Sequence, residues 1–308
     1  MNMHVVNNTI QTKQEQKAGG GKMTMEQADQ GYPQAEGMSF IPEVLEEAVW
    51  YFTPTFGRDV SILEPMAWEE LMCRRVGQGH RPVIHMWTHE DAMTIGLRDR
   101  RLSGAVEAME QFRQEGTSVA VRASGGAAVP LKPGVLNLSI MLPNPKQRIN
   151  IHDDFRFMAE WISRAVHPWS VQVHTGEVDG AFCPGDYDIS IDGRKFCGIA
   201  QRRQAKAYMI TAFVIVEGNG EELAAQIKRF YDLATGPQDA DKNYPIVRPG
   251  TMGGLNELVG VPSVADYMLE LQKLLNGGKP APLHSIHGVI DEQDIQQTMQ
   301  ELRSRYDD

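Results

Sequence analysis

The dipeptide Asp192-Gly193 stands between two runs of β-type residues, Tyr187 to Ile191 and Lys195 to Ile199. Asp-Gly in this setting is a strong short-range hairpin signal. A type I′ turn needs φ > 0 at both central residues, and its twist matches that of the flanking strands. A two-residue turn also sets the register. It places Ile191 opposite Arg194, Ser190 opposite Lys195, Ile189 opposite Phe196 and Asp188 opposite Cys197. Side chains alternate along a strand, so Tyr187, Ile189, Ile191 and Phe196 are expected on one face. Asp188, Ser190, Lys195 and Cys197 are expected on the other, polar face.

Helical patterns are expected at Trp68 to Val76, Ser103 to Glu115, Asp153 to Val166, Glu221 to Ala234, Ser263 to Leu275 and Glu292 to Arg305. Ser103 reads as an N-cap and Gly116 as the glycine beyond a helix end. Strands are expected at Pro82 to Trp87, Ala92 to Gly96, Ser118 to Arg122, Gly134 to Leu142, Ser170 to His174 and Ala207 to Val216. Strands and helices do not alternate regularly, which indicates a mixed α+β architecture rather than a doubly wound sheet. Met1 to Met38 is polar, rich in Gly and Gln and without apolar periodicity, so it is expected to be a disordered tail.

Among 308 residues, 40 acidic against 30 basic side chains give a net charge of -10, which argues against nucleic-acid partners. The longest apolar stretch, Ala207 to Val216, is far short of the ~20 residues of a membrane span, and the N-terminus has no apolar signal core. No membrane association and a cytoplasmic location are expected. The three cysteines, Cys73, Cys183 and Cys197, form no metal-knuckle spacing and read as free thiols in a reducing compartment. His80, His85 and His89 lie close in sequence, but no Cys or carboxylate pattern completes a site with them, so no metal is expected.

Cys183 precedes the hairpin in the loop Cys183-Pro184-Gly185-Asp186. A loop thiol there can fold back over the polar face, where the Lys195 ammonium would favour the thiolate and exchange protons with amines. A cysteine packed under the hairpin and an ordinary solvated lysine fit the same spacing, and the residues alone leave both readings open. Cys197, beside Phe196 and Gly198, reads as structural. A second stretch, Arg122 to Leu142, contains Ser124-Gly125-Gly126, a break that lets backbone approach a ligand closely.

The segments RASGGAAV and GVLNLS, followed by DGAFCPGDYDISIDGRKFCGIAQRR, resemble the biotin/lipoate protein ligase and octanoyltransferase superfamily. Within it they are most similar to the octanoyl-[glycine cleavage H protein] amidotransferases of lipoate assembly. The resemblance implies a mixed β-sheet flanked by helices in one acyltransferase domain over residues 39–308. It implies that Cys183 becomes the acyl-thioester and that Lys195 lowers the thiol pKa and transfers protons. It implies substrate-binding roles for Arg122, Ser124, Gly125, Gly126, Asn137, Asp188 and Gly198. The implied donor is the octanoylated glycine cleavage H protein, and the implied acceptors are lipoyl domains of 2-oxoacid dehydrogenase acyltransferase subunits. No cofactor, and no ATP, is implied.

Pro130-Leu131 occupies the place where ligases and carrier-protein-dependent transferases often have a histidine, and Ala127 stands where many ligases have a third glycine. The first departure favours the amidotransferase over an ATP-dependent lipoate ligase or a transferase using octanoyl-acyl carrier protein, and the second argues against a tightly held adenylate; a non-catalytic lipoyl-domain binding module stays open as a third alternative. Oxyanion donors are expected near Gly125, Gly126 or the Cys183 loop. Val135 to Met141 and Ile189 to Phe196 are candidates to line an octanoyl slot, although sheet core is the expected place for most of them. The basic clusters Arg98 to Arg101 and Gln201 to Lys206 are candidates for steering acidic partners.

Overall fold

The computed structural model describes residues 41–146, 151–240 and 243–307, so the expected N-terminal tail lies outside the described residues. The strands are β1 (Val49–Phe56), β2 (Val83–His89), β3 (Ala92–Ile95), β4 (Ser118–Val121), β5 (Val129–Leu131), β6 (Val135–Pro143), β7 (His174–Thr175), β8 (Ile189–Ile191), β9 (Arg194–Arg203), β10 (Ala207–Ile215) and β11 (Leu283–His284). The helices are α1 (Ile41–Leu45), α2 (Leu63–Gly77), α3 (Ala105–Gln114), α4 (Ile151–Val166), α5 (Gly220–Ala234), α6 (Leu255–Val259), α7 (Val264–Leu275) and α8 (Glu292–Leu302).

An eight-stranded sheet runs in the order β11-β1-β2-β6-β10-β9-β8-β7. Its pairs are parallel among β11, β1 and β2 and antiparallel from β2 onward. A smaller sheet, β4-β3-β5, is mixed as well. The α+β expectation of a mixed sheet flanked by helices therefore holds.

The alternation of β6 shows how the sheet divides the core. Leu136, Leu138, Ile140 and Leu142 pack with Met158, Trp161 and Ile162 of α4 and Tyr267 and Leu271 of α7. Val135 and Met141 join a second core with Trp68 of α2, Phe112 of α3 and Phe230 of α5. Each fully buried Leu, Ile or Phe contributes about 1.5–3 kcal/mol, so two apolar layers on one sheet give a strong preference for this register. Asn137 and Ser139 interrupt the second layer and face a cleft.

At the hairpin, Asp192 has φ 50° and Gly193 φ 74°, as a type I′ turn requires. Ile191 pairs with Arg194 and Ser190 with Lys195, but the register then shifts, and Ile189 faces Cys197 instead of Phe196. Phe196 is thus an extra residue on β9, a β-bulge. The bulge corrects two expectations. Asp188 is not opposite Cys197, and Cys197 joins Phe196 in the α4 and α7 core rather than sharing the face of Lys195.

Other differences are local. The N-cap of α3 is Gly104, while Ser103 donates from its amide and hydroxyl to Asp239. The strand expected at Ser170 to His174 shrinks to β7. Strand β1 was not foreseen because Pro54 interrupts its run, and its pairing with β2 is irregular between Thr53 and Phe56.

Candidate active site

Lys195 is fully buried, which a solvated charge would not be. Its ammonium donates to the Phe182 carbonyl at 3.0 Å, to the Cys183 carbonyl at 2.5 Å and to Asp188 at 2.8 Å. Three protons thus meet three acceptors, which is how a buried cation is kept at tolerable cost. Asp188 is buried too and accepts from the Gly185 N–H at 3.1 Å. Burial pushes its carboxyl up to about 6, against the pull of Lys195. Hairpin and loop are therefore tied by a buried ion pair that closes on loop backbone.

Gly198 permits this arrangement. A Cβ there would lie 2.6 Å from the Phe213 ring and 3.2 Å from the Lys195 ammonium. The Phe213 ring in turn stacks on Phe182 with centroids 5.6 Å apart and lies under the ammonium at 5.4 Å.

Held this way, Cys183 adopts φ 48°, a left-handed conformation that is uncommon for a residue with a Cβ. Its sulfur lies against the glycine turn. Arg122 Nη2 donates to the sulfur at 3.1 Å and the Ala127 N–H does so at 3.3 Å. Gly126 has φ +98°, and a Cβ there would collide with both the Arg122 guanidinium and the Cys183 sulfur. The turn is braced from behind. The Tyr231 hydroxyl accepts from the Ala128 N–H at 3.3 Å and donates to Asp99 at 3.0 Å, and Asp99 accepts from the Gly96 N–H at 3.0 Å.

The sulfur opens on a cleft of about 800 Å³, its mouth included. Met66, Trp87, Val129, Leu131, Met209 and Phe213 supply apolar wall. Asn137, Ser139, Thr94, Glu69, Glu70 and Arg202 add polar groups. Glu69 accepts from the Trp87 indole at 2.9 Å and lies in hydrogen-bond contact with His85 Nδ1 at 3.0 Å, and Arg202 pairs with Glu70 at 2.7 Å.

Of the expected binding residues, Arg122, Ser124, Asn137 and Gly198 line this cleft. Gly125 and Gly126 shape the turn beside it, and Asp188 is withdrawn behind the loop. Most of the candidates for an octanoyl slot are sheet core, as expected of them. From Val135 to Met141 only Asn137 and Ser139 reach the cleft, and Ile189, Ile191 and Phe196 are packed in the opposite core. Both basic clusters place arginines on internal acceptors. Arg100 donates to the Asp307 carbonyl, Arg202 pairs with Glu70 and Arg203 with Asp154. That weakens them as steering patches.

The other two thiols, Cys73 and Cys197, are buried as well and do not line the cleft. Burial pushes Cys73 up to about 12 and raises Cys197 well above the ordinary thiol range. Among the described residues no group of three or more His, Cys, Asp or Glu is placed to hold a metal ion, and no helix is long and apolar enough to cross a membrane. The contact of Arg122 with the sulfur was not foreseen. The sequence signal was its position two residues before Ser124 in a turn that must close on the cysteine loop.

Residues 61–273 match the lipoyl protein ligase A/B catalytic domain. Octanoyl-[GcvH]:protein N-octanoyltransferase of Lysinibacillus sphaericus is 33% identical over 240 residues, spanning 77% of this chain and 86% of that one. The protein of the same name from Geobacillus kaustophilus is 36% identical, spanning 74% and 81%. Lipoyl-[GcvH]:protein N-lipoyltransferase of Listeria monocytogenes is 31% identical, spanning 72% and 81%. Among solved structures, lipoate-protein ligase A bound with ATP superposes with a TM-score of 0.61 over 85% of this chain and 96% of that one. At 18% identity that likeness shows the fold.

Proposed function

The chain belongs to the lipoyl protein ligase A/B catalytic domain family, among its protein N-octanoyltransferases, and from that premise we propose that it moves an octanoyl group between protein lysines through a Cys183 thioester. The donor is the octanoyl-lysine of the glycine cleavage H protein. The acceptors are lipoyl domains of 2-oxoacid dehydrogenase acyltransferase subunits.

The observation that supports the reading is the Cys183 sulfur itself, held by two N–H donors at the end of a partly apolar cleft. Sulfur attacks the amide carbonyl, the C–S bond forms and the C–N bond breaks. The proton that leaves the thiol finishes on the departing lysine amine. The acceptor amine then attacks the thioester, and its proton returns to sulfur. Both amides are chemically alike, so no energy source is required. An eight-carbon chain gains about 0.8 kcal/mol for each methylene buried, enough to seat it on the Met66, Leu131 and Phe213 wall.

The test is a donor comparison. A purified lipoyl domain is incubated with the protein and either octanoylated H protein or octanoyl-acyl carrier protein, and its intact mass is followed. Octanoyl mass is expected from the H protein without ATP. Mass gained only from the carrier protein, or only with ATP and free octanoate, would overturn the reading.

A further inference from the structure

Two donors converge on the Cys183 sulfur, and neither belongs to Lys195. Arg122 Nη2 carries two protons. One meets the sulfur at 3.1 Å and the other the Ala127 carbonyl at 2.6 Å, which fixes the guanidinium against the turn. Lys195, in contrast, directs its three protons at the Phe182 carbonyl, the Cys183 carbonyl and Asp188. An ammonium so engaged has no proton left for sulfur.

We propose that Arg122 is a catalytic residue, stabilising first the Cys183 thiolate and then the oxygen of the acyl group attached to it, and that Lys195 is a positioning residue acting through the loop. The proposal rests on the thioester reading above. A guanidinium suits the task because its planar fork of N–H donors can face sulfur and an adjoining oxygen together. When sulfur attacks, the carbonyl π pair moves to oxygen, and when the intermediate collapses it returns as the C–N bond breaks. Negative charge thus passes from sulfur to an oxygen two bonds away and leaves again. A donor already touching sulfur is within reach of both positions.

A second observation points the same way. Arg122 Nε is buried on a side chain that lines the cleft and has no hydrogen-bond partner among the described residues. An unmet buried donor beside a nucleophile is satisfied by an incoming carbonyl oxygen. The other titratable groups nearby do not replace Arg122. Burial, and then the charge of Asp99, push the Tyr231 phenol far up, so it stays neutral. Burial raises Asp99, with Arg122 among the influences that lower it, and Asp188 is engaged with Lys195.

Alkylation of Cys183 by iodoacetamide across pH, followed by peptide mass, reads the thiolate with no acyl donor present. It therefore stands even where transfer between proteins fails. Arg122→Gln is expected to raise the midpoint of the rate profile by about one pH unit or more, and Arg122→Lys to recover much of that shift. An unchanged midpoint in folded Arg122→Gln would overturn the proposal, as would a larger shift in Lys195→Met. Should Arg122→Gln fail to fold, the wild type decides. Relative to a small free thiol, anionic iodoacetate should outpace neutral iodoacetamide at Cys183 several-fold at low salt, and the advantage should shrink as salt screens the guanidinium. Equal preference at low salt overturns it.

Discussion

Asp188 lies 2.8 Å from Lys195, and both side chains are shut away from solvent. The pair joins hairpin to loop, so its state of protonation is felt at the Cys183 backbone.

Transfer is expected to fall on the acid side with an apparent pKa near 6, where Asp188 takes a proton and Lys195 loses its counter-charge. Unfolding at this group is not the cause. Because burial raises the folded-state value above that of the unfolded chain, protonation of Asp188 favours the fold as pH drops from 6 toward 4. A rate profile that falls while the urea midpoint holds or rises is the expected pattern. Asp188→Asn should lower the rate and flatten that limb.

Breaking the pair from one side leaves a buried charge alone, so Lys195→Met should destabilise by about 3–5 kcal/mol. Adding Asp188→Leu should restore much of the stability, because an apolar pair can replace a buried ionic one. Transfer should stay low in the double variant, since no ammonium then holds the Phe182 and Cys183 carbonyls and no carboxylate accepts from the Gly185 N–H. Urea unfolding and acceptor mass, measured together, separate the two effects.

Gly198→Ala places a methyl 2.6 Å from Phe213 and 3.2 Å from the Lys195 ammonium. The expected cost is about 1–3 kcal/mol of overpacking. Transfer should fall further than stability alone explains, and Phe213→Leu in the same chain should recover the urea midpoint before it recovers the rate.

The three thiols should separate sharply on brief treatment with iodoacetamide at neutral pH. Cys183 lines the cleft, whereas burial raises Cys73 and Cys197 and hides them. Peptide mapping should find the label on Cys183. Cys183→Ala should abolish transfer, and Cys197→Ala should keep it with a stability loss of about 1 kcal/mol.

Much of the scaffold was legible because local chemistry dictates it. Asp192-Gly193 requires positive φ at two residues, and the turn it forms is the one expected. The alternation in β6 divides its side chains between two cores, and helix α7 begins at its Ser263 cap, whose hydroxyl accepts from the Asp266 N–H. The bulge at Phe196 was not legible. The turn fixes pairing at its own end, while the shift between Ser190 and Ile189 lets both Phe196 and Cys197 enter one core. The wall of the cleft, Met66, Leu131 and Phe213 among it, was not legible either, since the sequence does not say which of two apolar faces stays open.

The sequence by itself determined the mixed α+β class, the hairpin turn and the separation of a loop cysteine from a strand cysteine. Each depends on contacts only a few residues apart in the chain. Tertiary structure decided which cation meets the nucleophile. Lys195 is twelve residues from Cys183 yet engages its backbone, whereas Arg122, sixty-one residues away, reaches its sulfur. Hydrogen bonds follow distance and direction in space, and only the packed sheet brings the glycine turn and the cysteine loop together.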